Sequence, residues 1–192
     1  MLEPPCGTDL DRVVSIEANE LVKALDTIDV ELACDVDNPL LGSSGAAAVF
    51  GPQKGADAAT VAQLERNLGH FYGVVEQTLG RAVINQPGAG AAGGLGAALM
   101  AFADADRVPG IERVLQLTGM REHLHDADLL ITGEGRLDQQ TLHGKAPLGA
   151  ARLAQALNIP VVAVGGGLAA HAGELFLNHF DAVEASVCAP TS

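Results

Sequence analysis

Apolar positions along the chain change their period several times, and each change marks an element. Residues 60–80, TVAQLERNLGHFYGVVEQTLG, set Val61, Leu64, Leu68, Phe71 or Tyr72 and Val75 at helical spacing, which predicts an amphipathic helix. Helices are also predicted over 15–28 (SIEANELVKALDTI), over the small-residue stretch of 87–104 behind its leading glycines, over 110–127, and over 146–158, where Leu148, Ala151, Leu153, Ala154 and Leu157 share a side. Shorter apolar or alternating runs at 30–36 (VELACDV), 128–132 (DLLIT), 160–168 (PVVAVGGGL) and 181–190 (DAVEASVCAP) predict strands. Residues 1–12, broken by Pro4, Pro5 and Gly7, read as a poorly ordered start. Strand, loop, helix and strand from 128 to 168 make a βαβ unit, whose strands are normally parallel and buried. The class is therefore α/β with a parallel sheet.

The loops between these elements carry the chemistry. Residues 133–145, GEGRLDQQTLHGK, gather Glu134, Arg136, Asp138, His143 and Lys145 among three glycines. Ligands of open parallel sheets bind beyond the carboxyl ends of the strands, where this segment must lie if it follows a strand. Gly133 and Gly135 let a backbone approach a ligand closely, and Gly144 with Lys145 precedes a helix N-terminus, which attracts phosphate through its free amides. Arg136 can fork onto carboxylate or phosphate oxygens, while Glu134 or Asp138 can hold Mg2+ or accept a hydroxyl proton. The alternative is a solvated loop whose charges pair among themselves. It is not a Walker A loop: the position of the leading glycine holds Gln139 and Ala146 follows the lysine.

A second candidate is ACDVDNPL, where Asp35 and Asp37 stand two apart and would share a strand face, with Asn38-Pro39 turning the chain. Two such carboxylates can bind a divalent cation, or can serve an Asx turn and cap. Lys54, on the glycine-flanked turn GPQKG, is a surface lysine or an anion contact. Gly88, Gly90 and Gly93 spell GxGxxG, but RAVINQP is a poor strand before them and Asp104 and Asp106 come too early for a dinucleotide fingerprint. Tight helix packing or a contact to another anion fits those glycines better. The six histidines show no zinc-ligand spacing, and Ser43-Ser44 lies in no nucleophile elbow.

Composition narrows the partners. With 24 acidic against 11 basic residues and a net charge of -13, nucleic acid and anionic membranes would be repelled. Three cysteines without a CxxC suggest neither a disulfide framework nor a thiolate zinc site, so a reduced cytoplasm is the expected location.

Three blocks in series, ACDVDNPLLGSSGAAAVFGPQKGA, PGAGAAGGLGAAL and DLLITGEGRLDQQTLHGKAPLGAARLA, resemble the bacterial glycerate kinase family of the first type, over about Leu25 to Val187. The resemblance implies phosphorylation of D-glycerate with ATP and Mg2+. For that reaction the residues read above are expected to take catalytic roles at Asp138, Glu134 and Asp35, Mg2+ contacts at Asp35 and Asp138, and substrate or phosphate contacts at Asn38, Lys54, Gly133, Gly135, Arg136, Gly144 and Lys145. The resemblance also implies a two-domain α/β fold, with 25–110 in an inserted α/β domain, 111–192 forming the C-terminal part of a Rossmann-like domain, and 1–24 unassigned. Members of that family are longer, so this chain is expected to be incomplete and to self-associate through unpaired sheet edges. An inactive remnant that binds a small anion or a partner chain is the alternative to a working kinase.

Overall fold

A computed structural model of the chain describes residues 6–138, 141, 146–169, 176 and 178–187. The chain divides into two compact units, residues 1–108 and 109–192.

The first unit is organised by its longest helix. Helices α1 (Asn19–Leu25), α2 (Ala46–Phe50), α3 (Ala58–Leu79) and α4 (Leu95–Ala103) accompany two short strands, β1 (Glu31–Ala33) and β2 (Asp106–Val108), which pair in parallel with Leu32 opposite Arg107. Asp57 opens α3 by accepting the Thr60 amide at 2.8 Å, and Gly80 closes it in the left-handed region at φ 70. Leu68, Tyr72 and Val75 of α3 meet Leu40, Val83, Ala89, Ala97 and Ala101 in one core. The small side chains of α4 permit that close approach.

Two expectations fail here. The stretch within 1–12 expected to be poorly ordered contains a 3-10 helix over Gly7–Arg12, held by Asp9, which accepts the Cys6 amide at 3.0 Å, and by buried Asn67, whose Nδ2 donates to the Gly7 carbonyl. The strand expected over 30–36 is only Glu31–Ala33, so Asp35 and Asp37 lie beyond it and the shared-face argument does not apply to them. β2 is too short for a period to be visible in the sequence.

In the second unit, helices α5 (Gly110–Leu117), α6 (Met120–Leu124) and α7 (Ala146–Gln155) accompany a parallel sheet of order β3-β4-β5, formed by Leu130–Leu137, Val161–Leu168 and Ala182–Ala185. Leu124, Leu130, Ala150, Ala151, Ala154, Val161, Ala163, Phe176 and Phe180 form its core. The helix expected over 110–127 is two helices, because Gly119 takes φ 63 and breaks it.

The largest correction concerns 133–137. These residues were expected in a loop, yet they continue β3 in register with β4, with Gly133 opposite Val164, Glu134 opposite Gly165 and Arg136 opposite Gly167. Gly133 serves close backbone approach rather than a turn, whereas a Cβ on Gly135 would meet open space. A Cβ on Gly133 would stand 2.2 Å from the Val164 carbonyl oxygen, and one on Gly166 would stand 2.5 Å from that of Gly135.

Candidate functional site

Because β3 runs on, its charged residues are presented by a strand end rather than a loop. Arg136 is exposed, Leu137 is fully buried behind it, and Asp138 begins the turn that follows. Thr141 organises that turn from a completely buried position. Its amide donates to the Asp138 carbonyl and its Oγ1 accepts the Asp138 amide at 3.1 Å, while its hydroxyl donates to Glu134 Oε1. Glu134 and Asp138, four residues apart, are thus tied by one side chain that sequence reasoning passed over. No pattern marks a threonine as such a hub before the fold is known. Gly133 and Gly135 line the strand leading there. Gly144 and Lys145, and with them His143, lie outside the described residues.

In the first unit, the 35–45 and 88–96 segments knit together beyond the carboxyl end of β1. Asn38 donates its side-chain amide to the Ser44 carbonyl at 2.8 Å, and its own carbonyl accepts the Gly90 amide at 3.0 Å. A Cβ on Gly90 would stand 2.4 Å from the Pro39 carbonyl oxygen, so glycine is required there. Gly42, at φ 92, donates its amide to Glu65 Oε1. Asn38 and Glu65 therefore shape the Gly-Ser-Ser-Gly turn and leave Ser43 and Ser44 exposed. Asp35 is exposed, whereas Asp37 pairs with Arg107 at 2.6 Å. Lys54 ends the 3-10 turn Pro52–Lys54 and lines a cavity of about 320 Å3 with Phe50, Leu64 and Gly93. In GxGxxG, Gly88 and Gly90 serve close packing, Gly88 at φ 85 against Cys34 and Arg107, while Gly93 takes φ 76 with open space around it; beyond the motif, a Cβ on Gly96 would stand 2.1 Å from the Gly88 carbonyl oxygen.

Arg107 is the other residue that the sequence did not reveal. It links the Asp37 block to the Gly88 block from a strand 70 positions away from the aspartate, a separation that no local pattern encodes.

Comparison with known proteins places these blocks in context. The glycerate kinase family model matches residues 2–192. A glycerate kinase of Halalkalibacterium halodurans is 47% identical over 92% of this chain and 46% of its own length. A glycerate kinase of Bacillus cereus is 45% identical over 100% of this chain and 50% of its own, and a glycerate 2-kinase of Escherichia coli K12 is 44% identical over 92% and 46%. A Salmonella typhimurium LT2 crystal structure, described as a glycerate kinase 2, superposes with a TM-score of 0.77 at 43% identity, covering 95% of this chain and 48% of that one. The chain thus spans about half the length of the relatives it matches. The match begins at residue 2, which corrects the expectation that residues before about 25 would fall outside the resemblance. The chain belongs to the glycerate kinase family.

Proposed function

We propose that this chain supplies phosphate- and acceptor-binding parts of an ATP-dependent kinase that phosphorylates D-glycerate. The observation that carries the reading is the family match across 2–192. It is supported by Arg136, Asp138 and Glu134 at the carboxyl end of a parallel strand, where such sheets bind ligands. Phosphoryl transfer asks a protein chiefly to position groups and to neutralise charge. Arg136, Lys145 and the glycine amides at 133, 135 and 144 are assigned to phosphate or carboxylate oxygens, and Asn38 and Lys54 to further substrate contacts. Asp138 accepts the proton of the attacking hydroxyl, with Thr141 fixing Glu134 beside it; Asp35 is the remaining acid of the set. As the new O–P bond forms, the bond from the γ-phosphorus to the β–γ bridging oxygen breaks and ADP leaves. The name of the E. coli relative supports the 2-hydroxyl as acceptor.

Mg2+ suits the donor chemistry. Among the described residues no group of three or more His, Cys, Asp or Glu could hold a metal, but Mg2+ at kinase sites needs only one or two carboxylates and completes its shell with water and phosphate oxygens. Asp35 in the first unit and Asp138 in the second each offer such hard oxygens, and an ion held by either one would neutralise phosphate charge.

We place the protein in the cytoplasm, consistent with free Cys6 and Cys34. No helix among the described residues is long and apolar enough to cross a membrane. Self-association through open sheet edges belongs to the same proposal.

The test is phosphorylation of D-glycerate by the purified chain with ATP, followed by 31P NMR, which separates 2- from 3-phosphoglycerate. Arg136→Ala should lower kcat/KM about tenfold or more, the size of a lost charged hydrogen bond. An inactive chain that also fails to support turnover when exchanged for the matching half of the Bacillus cereus relative would overturn the kinase reading and leave the anion-binding remnant.

A further inference from the structure

Helices α5, α6 and α7 of the second unit form the walls of a cleft of about 380 Å3, within the range of small-molecule sites. α5 and α7 meet at Gly149, where a Cβ would stand 2.4 Å from Ile111 Cγ1. Further along each helix from that contact, Leu115 of α5 and Leu153 of α7, with Ala156 just after it, line the cleft. Both leucines are only half-buried, and α5 has no buried residue despite its apolar side. Apolar area is left for an occupant to cover, which is favourable.

The charged lining decides what that occupant is. Two guanidinium groups, Arg121 and Arg152, and two carboxylates, Glu112 and Glu122, line the same cleft. All four are exposed, and among the described residues none of them makes an ion pair. In a chain with 11 basic against 24 acidic residues, this lining is locally neutral. A simple anion would meet two like charges there, and so would a simple cation, whereas a molecule carrying both signs is complementary to both pairs. The leucines ask that it carry a hydrocarbon part as well.

We propose that this cleft binds a free amino acid with an aliphatic side chain. Its carboxylate lies on Arg121 and Arg152, since guanidinium forks match planar carboxylates. Its ammonium lies on Glu112 and Glu122, and its side chain rests on Leu115 and Leu153. The site is built from the second unit alone and does not depend on whether the chain transfers phosphoryl groups.

NMR titration of the 15N-labelled chain tests it with four probes: L-leucine, 4-methylpentanoate, which lacks the ammonium, 3-methylbutylamine, which lacks the carboxylate, and glycine, which lacks the side chain. Saturable binding of L-leucine at one site per chain is expected, with amide shifts confined to α5, α6 and α7. Each of the other three should bind about fivefold more weakly or worse, the size of one exposed ion pair at the strong end of its range. Arg152→Met should weaken leucine and leave 3-methylbutylamine unchanged, and Glu112→Gln should weaken leucine and leave 4-methylpentanoate unchanged. Ala156→Leu fills the cleft from an exposed position and should abolish binding while the chain still unfolds cooperatively. Arg66→Met, on the exposed face of α3, should change nothing. No saturation by leucine, a single-charge analogue or glycine binding as tightly as leucine, or wild-type affinity in Ala156→Leu would overturn the site. Leucine binding that weakens as the chain concentration rises would give the cleft to a second copy of the chain and overturn the ligand.

Discussion

Single side chains hold the glycine-rich turns of the first unit, and Tyr72 shows how. It is 4% exposed, and its hydroxyl donates to the Gly94 carbonyl at 2.7 Å. Gly94 itself is buried at φ 109, so water cannot replace a lost partner freely. Tyr72→Phe should cost about 1–3 kcal/mol of stability by leaving that carbonyl unpaired, measured by urea unfolding; a loss below about 0.5 kcal/mol would show that the carbonyl finds another donor. Burial pushes the phenol from its ordinary 10.0 up to about 12. A raised pKa means that the neutral form's contribution is complete below pH 10.0 and is lost as pH rises through about 12. The gap between wild type and Tyr72→Phe should narrow over that window.

At the scale of elements, the parts legible in the sequence are those whose instructions are local. Helix α3 announces itself by its apolar period, read over 60–80, and it forms over Ala58–Leu79, where the structure adds the capping Asp57 and the closing Gly80. Strand β3 was misread because glycine is scarce in strands and common in turns. What requires Gly133 is the Val164 carbonyl of the neighbouring strand, invisible until the two are paired. Thr141 and Arg107 escaped for the same reason, since their roles exist only through partners that the fold supplies, whereas Glu134, Arg136 and Asp138 stood out by charge alone. The cap of α3 also yields a pH prediction. Hydrogen bonds from Thr60, chiefly through its side chain and then its amide, hold Asp57 below the usual 3.8. A lowered carboxylate pKa gives stability that is present above the unfolded value of 3.8 and is lost as pH falls through the folded one. Asp57→Ala should therefore melt below wild type at neutral pH, with the difference shrinking in acid. A difference that persists undiminished at about pH 2 would mean that the cap does not depend on ionisation.

At the scale of the whole molecule, the sheet of the second unit predicts how the chain behaves in solution. Leu130, Val161 and Ala163 alternate into a core covered by helices, while on the opposite face Ile131 is 65% exposed and its partner Val162 is only half-buried. Parallel sheets are ordinarily covered on both faces. Among the described residues Ile131 stays exposed on this face, and β3 and β5 each have a neighbour on one side only. An apolar face beside an open strand edge promotes pairing with another chain. The chain should therefore run above its monomer mass in sedimentation or light scattering, in a concentration-dependent way. Ile131→Lys, which puts a charge on the bare face at a position outside the core, should shift the distribution toward monomer without lowering cooperative unfolding of the second unit. Supplying the remaining half of the Bacillus cereus relative as a separate polypeptide should compete with self-association if it covers the same face. A monodisperse monomer at all concentrations, unaffected by Ile131→Lys, would show that this face is stable in water and needs no partner.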